Sequence, residues 1–158
     1  MSIWWSLHLR REAASVPLAR RLLIGTMETA GVDPEISYDL SVALSEACAN
    51  AVEHGGDAST DYRVTAFIDG DTCRIEVTDS GPGFADRPRE PRRTKRHLPP
   101  PQTKTPVPAH EEHGRGLFLI ESLTDHVRVR NRPGRPGAVV SFDKILKWRE
   151  GAALLRAS

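Results

Sequence analysis

The stretch LSEACANAVEH, Leu44 to His54, sets a carboxylate, an amide and an imidazole at four-residue intervals (Glu46, Asn50, His54) through an otherwise mostly small and apolar run. Residues four apart lie nearly one above another on an α-helix, so these groups form one line beside the apolar positions Leu40, Ala43, Leu44, Ala47 and Ala51. Upstream, Asp33 stands where an N-cap belongs and Pro34 at the first helical position. Downstream, Gly55-Gly56 stops the pattern. The spacing predicts a long helix starting near Asp33-Pro34. Its polar line reads two ways: as the solvated face of any amphipathic helix, or as one wall of a site.

Around this helix the periodicity alternates between two and nearly four. Trp4 to Leu9 reads as a first strand, and adjacent residues on a strand face opposite sides, so one of Trp4 and Trp5 belongs to the core. Val16, Leu18, Ala19, Leu22, Leu23 and Met27 recur at helical spacing up to Gly31. Tyr62 to Ile68 and Cys73 to Thr78 form a hairpin across Asp69-Gly70-Asp71. Gly116 to Leu123 reads as a short helix. His126 to Val129 and Ala138 to Phe142 read as two more strands across an Arg-Pro-Gly turn, and Ile145 to Leu155 as a terminal helix. Helices early and paired strands late predict an α+β, two-layer sandwich: a mixed, mostly antiparallel sheet with helices on one face.

With 158 residues the chain falls in the one-domain range, 1–158. A formal net charge of +1 marks it for neither nucleic acid nor an acidic surface. The opening residues hold no apolar run long enough for a signal peptide or a membrane span, and two cysteines in helix- and strand-like patterns suit reduced thiols, so a cytoplasmic location without membrane contact is expected. Asp86 to Glu112 is rich in proline and basic residues and poor in apolar ones; it reads as a long loop or a disordered insertion. No aromatics interleave its basic run, which argues against direct nucleic-acid binding.

Two glycine-bearing motifs accompany the polar line. Asp79-Ser80-Gly81-Pro82-Gly83-Phe84 follows a strand directly, and glycines there let backbone approach a ligand. His113-Gly114-Arg115-Gly116-Leu117-Phe118 runs into an apolar helix, where free amides make a phosphate cradle. Alone, the first is also an ordinary turn and the second a flexible loop. No Lys-Ser or Lys-Thr pair follows the glycines and no GxGxxG opens a strand-helix unit, so neither a Walker loop nor a Rossmann site is supported.

Together, ExxxN on a helix, DxGxG after a strand and GxG before a second helix resemble the Bergerat ATP-binding fold shared by gyrase, mismatch-repair and histidine-kinase ATPases. ALSEACANAVEHG, VTDSGPGF and EHGRGLFLIESLTDHV look most like the bacterial anti-sigma-factor serine/threonine kinases. The resemblance implies ATP and Mg²⁺ as ligands. Asn50 matches the metal-holding asparagine and Glu46 the general base. Asp79 matches the acceptor of the adenine amino group, with Gly81 and Gly83 beside the ring. Gly114, Arg115, Gly116 and Leu117 match the phosphate-binding turn, and residues 86–112 the lid. It also implies an anti-anti-sigma (STAS-type) protein as substrate, a sigma factor as partner, and a homodimer. Relatives usually carry a threonine where this chain has Ala138, so one hydroxyl on the adenine side is missing. A non-catalytic, ATP-dependent binding module is the alternative, and Glu46 favours the enzyme, because a pure nucleotide switch needs no base beside the metal. A histidine-kinase output domain is a poorer third, because no helical dimerisation domain precedes it.

Overall fold

Alternating burial along the strands and a one-sided stripe on each helix place a single core between two layers. The computed structural model describes residues 2–54, 61–81 and 109–151. In chain order it has β1 (Ser2–Arg10), α1 (Ser15–Ala30), α2 (Pro34–His54), β2 (Asp61–Asp69), β3 (Thr72–Thr78), α3 (Ala109–Leu123), β4 (His126–Asn131) and β5 (Ala138–Ile145). The five strands lie in the order β1-β2-β3-β5-β4, with every pairing antiparallel. The sheet is therefore not mixed. Among the described residues no parallel crossover joins hydrogen-bonded strands.

Inward side chains of the strands, among them Val64, Ile68, Ile75, Val77 and Phe142, meet Leu23 and Met27 of α1, Leu40 and Leu44 of α2 and Ile120 of α3, all buried. Trp5 packs against this core and donates its indole N–H to Thr26 Oγ1 at 3.0 Å, while Trp4 on the opposite side is 64% exposed. A 2.6 Å hydrogen bond joins the hydroxyls of Ser15 and Tyr62 under the helices, which satisfies two polar groups that burial would otherwise penalise.

Local signals stop and start the helices as predicted. Gly31, at φ 87°, closes α1, and its N–H and that of Val32 both donate to Met27 O at 3.0 Å, so the last carbonyls are satisfied. Asp33 Oδ1 then accepts the Glu35 N–H at 2.8 Å as the cap of α2. Gly70, at φ 61°, and Asp71 form the two-residue turn between Asp69 and Thr72.

Two boundaries differ from the sequence reading. No helix begins at Ile145: β5 continues through that residue, Leu146 is buried, and Trp148 bridges Val32. Backbone bonds from Asp33 to Lys147 and from Arg149 to Gly31 hold this tail against the α1–α2 corner, and Trp148 Nε1 donates to Asp71 Oδ1. Tertiary pairing overrides the local helical pattern here. Helix α3 also starts earlier than expected, at Ala109, taking in Gly114, Arg115 and the last four residues of the expected lid. Alanine and glutamate, at 109, 111 and 112, are good helix formers. The rest of the lid, and Gly83, lie outside the described residues.

Candidate functional site

Helix α2 runs along β3 and is flanked by α1 on one side and α3 on the other. Glu46 and Asn50 stand one turn apart on the flank that meets α3. A Cβ on Gly116 would lie 3.3 Å from Glu46 Oε2 and 3.5 Å from both Oδ1 and Nδ2 of Asn50. Gly116 has ordinary helical backbone, so glycine serves here to admit the two side chains rather than to permit an unusual φ. Asn50 Nδ2 is buried and has no hydrogen-bond partner among the described residues. An unpaired buried amide costs about 1–3 kcal/mol, which marks the place as one awaiting a partner. Leu117, the next residue, packs half-buried against the core and fixes the rotation of α3.

Asp79 lies just past the end of β3. Its Oδ1 accepts the N–H of Gly81 at 2.8 Å and that of Ala138 at 3.3 Å, and its own N–H donates to Ala138 O at 3.0 Å. Among the described residues nothing donates to Oδ2, which leaves that oxygen available as an acceptor. Burial pushes the Asp79 carboxyl above its ordinary value of 3.8, against the opposing pull of the Gly81 and Ala138 amides and of the Arg11 and Arg132 charges. Gly137 makes this approach possible. At φ 130° it adopts a conformation that disfavours side chains, and a Cβ there would sit 2.1 Å from Asp79 O.

Two arginines that local sequence patterns did not single out complete the neighbourhood. Arg11 donates from Nε to Ala51 O at 3.1 Å and from Nη2 to Val52 O, capping the last turn of α2, while its charge also acts on Asp79. It holds the end of α2, next to Asn50. Arg132 Nη1 donates to Asp79 O at 3.5 Å and to Ser80 Oγ at 3.4 Å. Both contacts join residues about forty or more positions apart, so no local spacing announces them. His54, at the foot of the polar line, lies 3.1 Å from the Glu53 carboxylate at the surface.

The donor set fits a nucleotide and a hard cation. An amide oxygen, an adjacent carboxylate and a neighbouring glycine supply what Mg²⁺ and phosphate require, namely oxygen ligands and close backbone. Asn50 Nδ2, an unpartnered donor that suits a phosphate oxygen, and the space kept clear at Gly116 are the observations that carry this fit.

Helices on one face of an antiparallel sheet, with a carboxylate and an amide on the central helix and a carboxylate closing the middle strand, define the Bergerat class of nucleotide-binding domains. The histidine kinase-like ATPase domain model matches residues 9–144. Curated serine-protein kinases named RsbW are similar over most of the chain. That of Staphylococcus epidermidis is 32% identical over 144 residues, covering 89% of this chain and 86% of the relative. That of Bacillus subtilis is 30% identical over 129 residues, covering 80% and 78%. The chain belongs to the histidine kinase-like ATPase family. Among solved structures, the RsbU and RsbW domains of a Mycobacterium tuberculosis protein superpose with a TM-score of 0.61 at 22% identity, over 92% of this chain and 34% of that one. The SiaB–SiaC complex of Pseudomonas aeruginosa gives 0.54 at 12% identity, over 89% and 88%. These two likenesses speak to the fold.

Among the described residues no helix is long and apolar enough to cross a membrane. Cys48 and Cys73 are both free and buried, and burial pushes each thiol up to about 12, so neither is a nucleophile at neutral pH.

Proposed function

We infer that the protein is an ATP-dependent serine/threonine kinase of the anti-sigma-factor type, acting in the cytoplasm on a STAS-type anti-anti-sigma protein and pairing with a sigma factor as a homodimer. The observation that carries this reading is the seating of Gly116 on Glu46 and Asn50. A carboxylate beside the metal-binding amide is superfluous for a module that only holds ATP, and necessary for one that activates an attacking hydroxyl. The similarity to serine-protein kinases over most of the chain points the same way.

In this reading Asn50 holds the Mg²⁺, which when bound neutralises phosphate charge. Asp79 orients the adenine by accepting from its amino group through Oδ2, with Gly81 and Gly83 leaving room for the ring. Gly114, Arg115, Gly116 and Leu117 bring α3 to the phosphates. Glu46 accepts the proton of the substrate hydroxyl as it attacks, a contribution typically of ~10²–10⁴-fold. Phosphoryl transfer asks little else of the protein than this positioning and charge balance.

Calorimetric titration with Mg²⁺-ATP, followed by transfer of labelled phosphate to a co-purified STAS-type partner, tests the reading. Asn50→Ala is expected to lose nucleotide binding with its fold intact, and Glu46→Ala to keep nucleotide but lose transfer. Nucleotide binding unchanged in Asn50→Ala contradicts the metal assignment; transfer unchanged in Glu46→Ala returns the protein to the class of binding modules.

A further inference from the structure

The face of the sheet away from the helices carries a second organised surface. Its strands are in register, so that Trp4, Phe67, Arg74, Asp143 and His126 form one row straight across all five strands. The next row is Ser6, Thr65, Glu76, Ser141 and Arg128, and the third ends on Arg130. Alternation puts all of these on the side opposite the core residues Ile75, Val77 and Phe142.

The two ends of the first row differ in chemistry. At the β1–β2 end, Trp4 and Phe67 are 64% and 40% exposed and adjacent. From the central strand to the other edge, Arg74, Arg128, Arg130 and His126 border a cavity of about 480 Å³ on β3, β5 and β4. His126 Nδ1 lies 2.8 Å from Asp143 Oδ1. The guanidinium groups of Arg74, Arg128 and Arg130 have no ion pair or hydrogen bond among the described residues, although Glu76 and Asp143 stand on the same face. Three arginines outnumber the two carboxylates beside this concavity, and the aromatic pair on β1 and β2 lies next to Arg74 on β3 and about three and a half strand spacings, about 17 Å, from Arg128 and Arg130 on β4.

We propose that this face docks an acidic amphipathic helix of a partner protein, its carboxylates set on Arg74, Arg128 and Arg130 and its apolar side chains on Trp4 and Phe67. The separation of the aromatic pair from the β4 arginines matches roughly three helical turns, about 16 Å, with Arg74 about one turn along. Charge complementarity selects the occupant: discrete carboxylates can be placed on the three arginines clear of Glu76 and Asp143, whereas the continuous phosphates of a nucleic acid would run over both. The surface lies on the far side of the sheet from Asn50 and Glu46, so it engages its partner independently of nucleotide.

The test is an NMR titration of the full chain with a synthetic alanine-based helical peptide that carries leucines in one turn and glutamates one and three turns on. Amide shifts are expected at Arg74, Arg128 and Arg130, with a shift of the Trp4 indole. Arg128→Glu combined with Arg130→Glu should weaken the peptide by about tenfold while Mg²⁺-ATP titrates as in the parent. Should that double variant misfold, Arg74→Gln and Trp4→Ala, each on an exposed side chain, serve in its place with smaller losses. Shifts elsewhere on the molecule overturn the proposal. So does undiminished affinity in these variants, or equal binding of the peptide with its glutamates changed to glutamine. Tighter binding of single-stranded oligothymidylate to the same arginines assigns the face to nucleic acid instead.

Discussion

Replacing Gly116 by alanine separates what α3 needs from what the site needs. A glycine in the interior of a helix costs roughly 1 kcal/mol relative to alanine, so Gly116→Ala should stabilise α3 by about that amount. Against this stands the new methyl, 3.3 Å from Glu46 Oε2 and 3.5 Å from the Asn50 amide, a fit that obliges those side chains to yield by a few tenths of an ångström. Two partly exposed polar side chains can give that much for a cost on the order of 0.5 kcal/mol. The net is a gain of about 0.5 kcal/mol, or roughly 1–2 °C in Tm for a chain of this size. Catalytic geometry is less forgiving: with the proposed base Glu46 and the proposed metal-holding amide of Asn50 both displaced, phosphotransfer should fall by about tenfold or more. Thermal unfolding followed by circular dichroism, together with initial rates of labelled phosphate transfer, reads both effects. A variant that is more stable and fully active refutes the claim that Gly116 is glycine for the site's sake. A variant destabilised by more than about 1 kcal/mol refutes the helical placement of Gly116.

Asp79→Asn keeps an oxygen for the Gly81 and Ala138 amides but puts a donor where Oδ2 was; adenine nucleotides should bind more weakly by about 1–3 kcal/mol, on the order of 10–100-fold, in a calorimetric titration. The same variant tests the pH linkage. Because burial raises the Asp79 carboxyl above 3.8, its contribution to stability is fully present below 3.8 and is lost as pH rises through the raised value. The difference in unfolding free energy between Asp79→Asn and the parent should therefore shift in favour of the variant over that window, and a pH-independent difference contradicts the burial. Gly137→Ala places a Cβ 2.1 Å from Asp79 O at a φ of 130°, so it should cost about 1–3 kcal/mol from backbone strain alone, measured by denaturant unfolding; a neutral outcome contradicts the close approach of the β4–β5 turn to Asp79.

The elements that position the site were legible because their signals are local. Asp33, Pro34 and the four-residue rhythm of Glu46 and Asn50 mark α2, and Asp69-Gly70-Asp71 marks the hairpin that delivers Asp79. What escaped the sequence depends on partners far along the chain. Arg11 closes α2 from about forty residues away, and Arg132 reaches Asp79 from more than fifty. Leu146 to Arg149 carry a helical pattern, yet bonds to Gly31 and Asp33 draw them out as an extended tail. At α3 the glycines suggested a turn, but the Ala-His-Glu-Glu run before them is strong enough to continue the helix through both. The outer face was illegible for a different reason: three arginines on two strands look like ordinary solvated positions until strand register puts them round one cavity.

A structure of the protein with a non-hydrolysable ATP analogue and Mg²⁺ tests the central claim most directly. The account predicts Asn50 Oδ1 bound to the metal at about 2.0–2.1 Å, the adenine amino group donating to Asp79 Oδ2, and phosphate against Gly116. A nucleotide held elsewhere, or one that leaves the Asn50 amide as unpartnered as it is without ligand, contradicts it.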